Sequence, residues 1–451
     1  MLLFTNNLKF VNSLFTFALS ISFSSIEYIA TGGDFMLEEI NSALCGVLLP
    51  CVIFLVGMFF TIKLRGFYLL HPIRSARRAL NASGGLRPLC VALAGTLGVG
   101  NIVGVASAIS IGGAGAVFWM IFSALIAMGV KYAETHLAVK HRRGSFGQYY
   151  GGAPYYISDS FKGRGGVILG SIFAILCVVN SLSTGNLVQV NSIIPVLGGN
   201  KLIWGLALAL GVFSIVCGGQ RRIENACSFI IPTLTILYVI LSLYIIFSNF
   251  SGLCVAISSI FRCAFSFKSA LSGACGFGIS SALRYGFSRG LLSNEAGCGT
   301  SATAHASSSS DATSQGCLGV FEVFWDTVVL CTLTSLVILI SGESNDEPIM
   351  LAISAYSTFT GALGGGFIAT ACVIFALATL VCQFYYGMRA LEFISSSRVT
   401  KCVYSIVFLV VCVISSIISN DIMWSISDFI VCALALYNMV FLIKLSKEVK
   451  M

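Results

Sequence analysis

Gly98-Val99-Gly100-Asn101 is the run of residues whose types and spacing point most directly to chemistry. It sits inside an apolar stretch, where each helical glycine costs about 1 kcal/mol relative to alanine. Gly95 and Thr96 precede it and Gly104 follows, so the sequence predicts a helix that opens here. Opening exposes carbonyl oxygens on one side of the break and N–H groups on the other. The N-terminal end of the following half-helix carries partial positive charge and free donors, which suit a carboxylate. The freed carbonyls suit a hard cation such as Na+. A zwitterionic amino acid with Na+ is the ligand pair that such a break is built to hold.

Polar side chains in other apolar stretches are the partners to expect around it: Thr96, Asn101, Asn186, Gln189, Asn191, Thr379 and Gln383. An amide in hydrocarbon is expensive without a partner, which favours a functional reading. Asn186, Gln189 and Asn191 serve equally well as hydrogen-bonding glue between helices. Among the charged residues, Lys131 and Glu134 are spaced i, i+3, as for a mutual pair or side chains that snorkel to the interface. Glu322 and Asp326 share a face at i, i+4 and read as a structural or gating contact, with a proton relay as the other reading. Asn294-Glu295, after Arg289 in a Gly/Ser-rich turn, fits a cytoplasmic gate contact.

Membrane helices must carry these residues. The chain of 451 residues is 57% hydrophobic and 10% charged, with mean hydropathy +0.93; a soluble domain has roughly 25% charged residues. Charge-free runs such as 167–197 and 226–248 exceed the roughly 20 residues that cross the hydrocarbon layer. They do not alternate, so helices and not barrel strands satisfy the backbone. The predicted class is an all-α integral membrane protein with eleven spans near 41–62, 89–112, 114–136, 167–193, 202–218, 227–247, 270–296, 317–341, 361–387, 402–419 and 424–445. With the loop after the first span in the cytoplasm, nearly all Lys and Arg fall on that side, from Lys63 and Arg65 through Arg142, Arg143, Arg221 and Arg389 to Lys450. The opposite side holds Lys201, Arg262 and Lys268 with the acidic stretch 343–347, as the positive-inside rule requires. The net charge of +8 is therefore topological, and nucleic acid is excluded as a partner.

A second glycine cluster, Gly273, Gly276 and Gly278, lies five spans after the first. Paired breaks at that interval suggest an inverted repeat with two discontinuous helices. Gly104, Gly112 and Gly113 read instead as close-packing positions. The expected organisation is an N-terminal extension over 1–35, an accessory helix and cytoplasmic loop over 36–88, a first repeat over 89–248, and a second repeat with the C-terminal tail over 249–451. The extension reads as an over-extended start, since Met36 opens Met-Leu-Glu-Glu-Ile, or as a short peripheral segment. Most of the 17 cysteines lie in apolar runs as small hydrophobes, and no Cys/His spacing suits a transition metal. GxGxxG, HExxH and P-loop motifs are missing, and the single GxSxG match, Gly286-Phe-Ser-Arg-Gly290, lies in an apolar helical stretch with no strand before it, so no enzyme and no cofactor are expected.

Several longer motifs resemble those of the alanine/glycine:cation symporter family. They are Gly98-Val-Gly-Asn-Ile-Val-Gly-Val-Ala-Ser-Ala-Ile109, Gly115-Ala-Val-Phe-Trp119, Lys131-Tyr-Ala-Glu134, Gly151-Gly-Ala-Pro-Tyr-Tyr156, Arg284-Tyr-Gly-Phe-Ser-Arg-Gly290, Ser293-Asn-Glu-Ala-Gly297, Phe324-Trp-Asp-Thr327, Cys331-Thr-Leu-Thr334 and Tyr385-Tyr-Gly387. The resemblance runs from about residue 36 to the end. It implies a leucine-transporter-like fold in a bacterial inner membrane, Na+ or sometimes proton coupling, and uptake of alanine, glycine or D-alanine. It also implies substrate contacts at Thr96, Val99, Gly100, Gln189, Ala274 and Gln383, and an ion site at Thr379, to which the opened backbone adds Gly98 and Asn101. Three positions depart from the family pattern: Val99 replaces a threonine, Ala274 a phenylalanine and Gln383 a tryptophan. Losing two aromatic walls enlarges the pocket and makes it more polar. In a competition uptake assay, amino acids larger or more polar than alanine are therefore expected to block transport; blockade by glycine and alanine alone would contradict this.

Overall fold

A computed structural model describes residues 41, 43–81, 87–145, 148–265, 274–418 and 420–451. The expected extension over 1–35 lies outside them. Among the described residues, eight helices are long and apolar enough to cross a membrane, and a bent pair makes nine. The long helices are α1 (Leu44–Lys63), α4 (Gly115–Lys140), α5 (Arg164–Leu197), α7 (Gly219–Ser248), α10 (Ala312–Ser341), α11 (Pro348–Ile394), α12 (Arg398–Ser415) and α13 (Asn420–Lys444). The bent pair is α2 (Arg87–Thr96) with α3 (Val103–Gly112), and its two arms differ in direction by 61°. Shorter helices are α6 (Lys201–Val216), α8 (Phe250–Ala264) and α9 (Ala274–Asn294). A small hairpin of β1 (Arg143–Ser145) and β2 (Gln148–Tyr150) pairs Arg143 with Tyr150.

α4 is the central post. Its residues from Ala124 onward are almost all buried, because α1, α8, α9 and α10 pack around it. Small residues make that crowding possible. A Cβ on Gly57 would fall 2.6 Å from the Ile126 carbonyl oxygen, and one on Gly286 would fall 2.6 Å from the Ala116 carbonyl oxygen. Backbones that approach this closely gain van der Waals contact where no hydrophobic force separates helix from lipid. Outside this core, exposed apolar side chains such as Leu55, Ile62, Phe229, Phe247 and Leu363 form the surface that acyl chains cover.

Two elements differ from expectation. α8, of 15 residues, occupies a stretch read from sequence as a loop and packs along α4 and α10. α11 has an added first arm from Pro348 and turns at Gly361, whose φ of 63° is left-handed, so that its second arm starts where the span was expected, near 361. Of the glycines expected at close contacts, Gly112 does approach the Ala282 backbone of α9, Gly113 ends α3 with φ of 70°, and Gly104 faces open space.

Besides the π-helical turn Leu44–Leu48 that opens α1, two helices contain internal π-helical segments, Ser183–Leu187 in α5 and Phe324–Cys331 in α10. Such bulges concentrate at functional sites because they rotate the following side chains. Both flank the α2–α3 break.

Gly286→Val forces α9 off α4 and is expected to cost about 1–3 kcal/mol by overpacking. Gly104→Ala has room for its methyl and is expected to be neutral or mildly stabilising. Unfolding temperatures of the two variants in detergent check both; equal values would contradict the packing described.

Candidate functional site

α2 ends at Thr96, and Gly98 then adopts extended backbone (φ −111°, ψ −151°) before a single 3-10 turn over Val99–Asn101. Side chains of other helices supply partners for the opened backbone. Gln189, just past the π-helical segment of α5, accepts the Val99 N–H through Oε1 at 3.1 Å. Thr379 of α11 donates its hydroxyl to the Ala94 carbonyl at 3.0 Å, and Tyr386 donates to the Val91 carbonyl at 3.2 Å. A Cβ on Gly98 would lie 2.6 Å from Gln189 Oε1 and 2.7 Å from Thr379 Oγ1. Glycine at 98 is thus what lets both polar groups reach the opened backbone.

On the opposite side the break meets α9 and α10. Asn101 donates through Nδ2 to Asp326 Oδ1 at 2.8 Å and to the Asp326 carbonyl at 3.0 Å, and its carbonyl accepts the Thr334 hydroxyl at 2.8 Å. Ser293 and Thr327 donate to Asp326 Oδ2 at 2.7 and 2.8 Å. Asn101 Oδ1 is buried without a partner, an oxygen available to a cation. The π-helical segment of α10 carries Asp326 to this spot, away from Glu322 one turn earlier.

The expected site residues separate into groups. Gly98, Val99, Gln189 and Thr379 converge. Gly100 abuts the Ser293 backbone, 3.3 Å from where its Cβ would be. Thr96 spends its hydroxyl on the Ala92 carbonyl of its own helix at 3.2 Å. Asn101 turns its amide nitrogen to Asp326, and Gln383 donates its own to Glu295 Oε1 at 2.6 Å. Asn186 and Asn191 donate to carbonyls of Phe408, Ser415 and Ile418, which makes them ties between α5 and the α12 region. Ala274 opens α9, and its side chain lies outside the described residues, as does Gly273. Gly276 and Gly278 are helical within α9, so no break occurs at those two positions.

Sequence reasoning missed a cluster of buried charges. Lys131 does not snorkel: it is fully buried, 3.1 Å from Glu322 and 3.6 Å from Glu134, and it donates to Ser301 Oγ at 2.5 Å. Glu134 Oε2 also accepts the N–H groups of Gly297 and Gly299 at 3.0 and 3.1 Å, both glycines having left-handed φ. His305 hydrogen-bonds Glu322 at 3.0 Å and Gln315 at 2.8 Å. A charge this deep persists only when paired and hydrogen-bonded, and every member here is. The i, i+3 spacing of Lys131 and Glu134 gave half of this cluster; Glu322 and His305 come from elements that only the fold brings together.

A narrow crevice on the arginine-rich face is lined by Tyr155, Cys177, Thr300, Thr303, Tyr386 and Arg389. Arg389 frames its mouth, stacked 5.0 Å from Tyr150 and 5.2 Å from Tyr385.

Residues 31–451 match the model of the sodium:alanine symporter family. The sodium/alanine symporter AgcS of Methanococcus maripaludis is 31% identical over 442 residues, 91% of this chain and 94% of that protein. The amino-acid carrier protein AlsT of Bacillus subtilis is 32% identical over 407 residues, 87% of this chain and 85% of that protein. Among solved structures, a manganese transporter from Eremococcus coleocola superposes with a TM-score of 0.53 at 14% identity, covering 80% of this chain and 76% of that one. That likeness extends to the fold alone.

Gln189→Leu leaves the buried Val99 N–H without its acceptor, and the expected cost is about 1–3 kcal/mol. The detergent-solubilised variant should unfold at lower temperature; an unchanged midpoint would mean that Gln189 does not hold the break.

Proposed function

The chain belongs to the sodium:alanine symporter family, and from that membership and the geometry of the break we propose that it couples Na+ entry to import of a small neutral amino acid across the bacterial plasma membrane. The cargo class is alanine, glycine or D-alanine, extended toward more polar side chains by Gln383. It is a carrier and not an enzyme, and no resident cofactor takes part. The convergence of Gly98, Val99, Gln189 and Thr379 on one opened backbone is the observation that supports this most directly.

In the proposed mechanism, the N–H groups at the start of α3, after Gly100, receive the substrate carboxylate, since the first turn of a helix has no internal acceptors for them. Thr96 and Val99 border that position, Gln189 and Gln383 contact the amino group or side chain, and Ala274 is a substrate contact by the family resemblance alone. Na+ takes the Gly98 carbonyl and the Thr379 hydroxyl, with the free Asn101 Oδ1 as a further oxygen donor on the α10 side. Binding both ligands replaces the Gln189–Val99 hydrogen bond, which gives empty and loaded carriers different packing around the break. Alternating access follows when that difference shifts the balance between outward- and inward-open states.

The full architecture proposed is eleven spans: the eight long helices, the α2–α3 pair, and α6 and α9, with α8 lying beside the bundle. At 16 residues, α6 extends roughly 24 Å, enough to cross with modest thinning of the bilayer. α1 is then accessory, and the remaining ten form two inverted repeats of five.

Uptake of a labelled amino-acid panel into proteoliposomes tests this. An inward Na+ gradient is expected to drive accumulation that choline does not support, and internal substrate is expected to accelerate entry. Equal uptake in Na+ and choline, without trans-stimulation, would indicate a passive channel and refute the proposal.

A further inference from the structure

Glu295 is a carboxylate without a counter-charge. It follows the last residue of α9, is 3% exposed, and has a left-handed backbone (φ 49°). Among the described residues the other non-glycine with positive φ is Arg65, in the turn after α1. A bulky residue held in that region is locally strained, and such strain concentrates at functional sites. Its carboxylate accepts the Gln383 amide on Oε1 at 2.6 Å and the Thr300 hydroxyl on Oε2. Both donors are neutral, and among the described residues no cation lies within ion-pairing distance of it. Lys131 is already committed to Glu134 and Glu322. The titratable groups that face Glu295 are Lys131, Glu322, Cys177, Cys298, Cys382 and Tyr386.

Two features give this lone carboxylate a use. Thr300, its partner on Oε2, lines the crevice that opens to the arginine-rich face, so Glu295 is one hydrogen bond from a water-accessible path. Gln383, its partner on Oε1, is a proposed cargo contact whose own carbonyl oxygen is buried and unpartnered. An ionised Glu295 can only accept, which fixes the Gln383 NH2 toward it and leaves the Gln383 oxygen free for an ammonium group. A protonated Glu295 donates, draws the Gln383 oxygen to itself by an amide flip, and turns the NH2 toward the cargo. A donor cannot receive an ammonium.

We propose that Glu295 is a proton-binding site reached through Thr300, and that its ionisation orients the Gln383 amide to accept the cargo amino group. This rests on the reading of the break as an amino-acid site. Hydronium in the crevice protonates the Thr300 hydroxyl as Thr300 passes its own proton to Glu295 Oε2, leaving water and a carboxylic acid, and a half-turn of the carboxyl about Cγ–Cδ then presents the new O–H to Gln383 in place of Oε1. The reverse transfer accompanies cargo binding, so proton and amino acid exclude one another and the carrier gives up a proton as it loads.

Proton release on adding alanine and NaCl to the purified, weakly buffered protein, together with alanine affinity across a pH series, tests the idea. In the wild type, up to one proton per chain is expected, and affinity should fall about tenfold per pH unit on the acid side, as linkage to one proton requires. Glu295→Gln still accepts the Gln383 NH2, and its affinity should be independent of pH with no proton released. Thr300→Val should bind alanine and release the proton at least tenfold more slowly in stopped flow. A wild-type pH slope and release in Glu295→Gln, or an unchanged rate in Thr300→Val, would overturn the proposal. Difference infrared spectra provide a readout independent of alanine: acidification should raise a carboxylic-acid band that Glu295→Gln lacks, and its presence in the variant would also overturn it. Absence of alanine binding to the wild type at every pH, with that band present, would count against the transport reading and not against the proton site.

Discussion

Hydrocarbon offers a backbone nothing to bond with. A helix that opens inside a membrane must therefore find every lost partner within the protein, at several kcal/mol for each group left unpaired. In this chain the opening lies at Gly98, and the surrounding helices are arranged to answer it. Gln189 takes the Val99 N–H, Thr379 and Tyr386 cover carbonyls of the preceding arm, and Thr334 covers the Asn101 carbonyl. These partners come from α5, α10 and α11, so the break organises the bundle as much as the bundle stabilises the break. The two π-helical segments sit where α5 and α10 pass the opening, and each shifts a functional side chain toward it.

The same economy governs the ionisable groups. Asp326 is surrounded by hydroxyl and amide donors, Glu134 by backbone N–H groups and Lys131, and Glu322 by Lys131 and His305. Glu295 has neutral partners alone. These are three kinds of carboxylate environment in one bundle: one beside the break, one within the α4–α10 core, and one, at Glu295, proposed to exchange a proton with the crevice.

Much of this was legible in the sequence. Two glycines around Val99, with Gly95 and Thr96 before them in an apolar run, point to an opened helix, since a cluster costs more than the single glycines that close packing uses. Amides and hydroxyls in apolar spans, Gln189 and Thr379 above all, announce its partners. The division of labour among the amides was not legible. Asn186 and Asn191 are ties while Gln189 is not, and that depends on which face the π-helical segment turns toward α2. The burial of Lys131 was hidden because distance along a helix says nothing about what packs over its end. Glu295 reads from sequence as a cytoplasmic gate contact in a Gly/Ser-rich turn; its burial, left-handed backbone and contact with Gln383 are visible only in the fold. α8 escaped notice because its 15 residues fall short of the roughly 20 apolar residues that mark a span.

The central claim is that one opened backbone holds amino acid and Na+ together, so that each ligand strengthens the other. Equilibrium binding to the purified protein measures this directly: alanine affinity as a function of Na+, and Na+ affinity as a function of alanine, in the wild type and in Thr379→Val. Linkage requires the two enhancements to be the same factor, and the account predicts such a shared factor in the wild type and its loss in Thr379→Val. Alanine affinity that is the same in Na+ and in choline would contradict it.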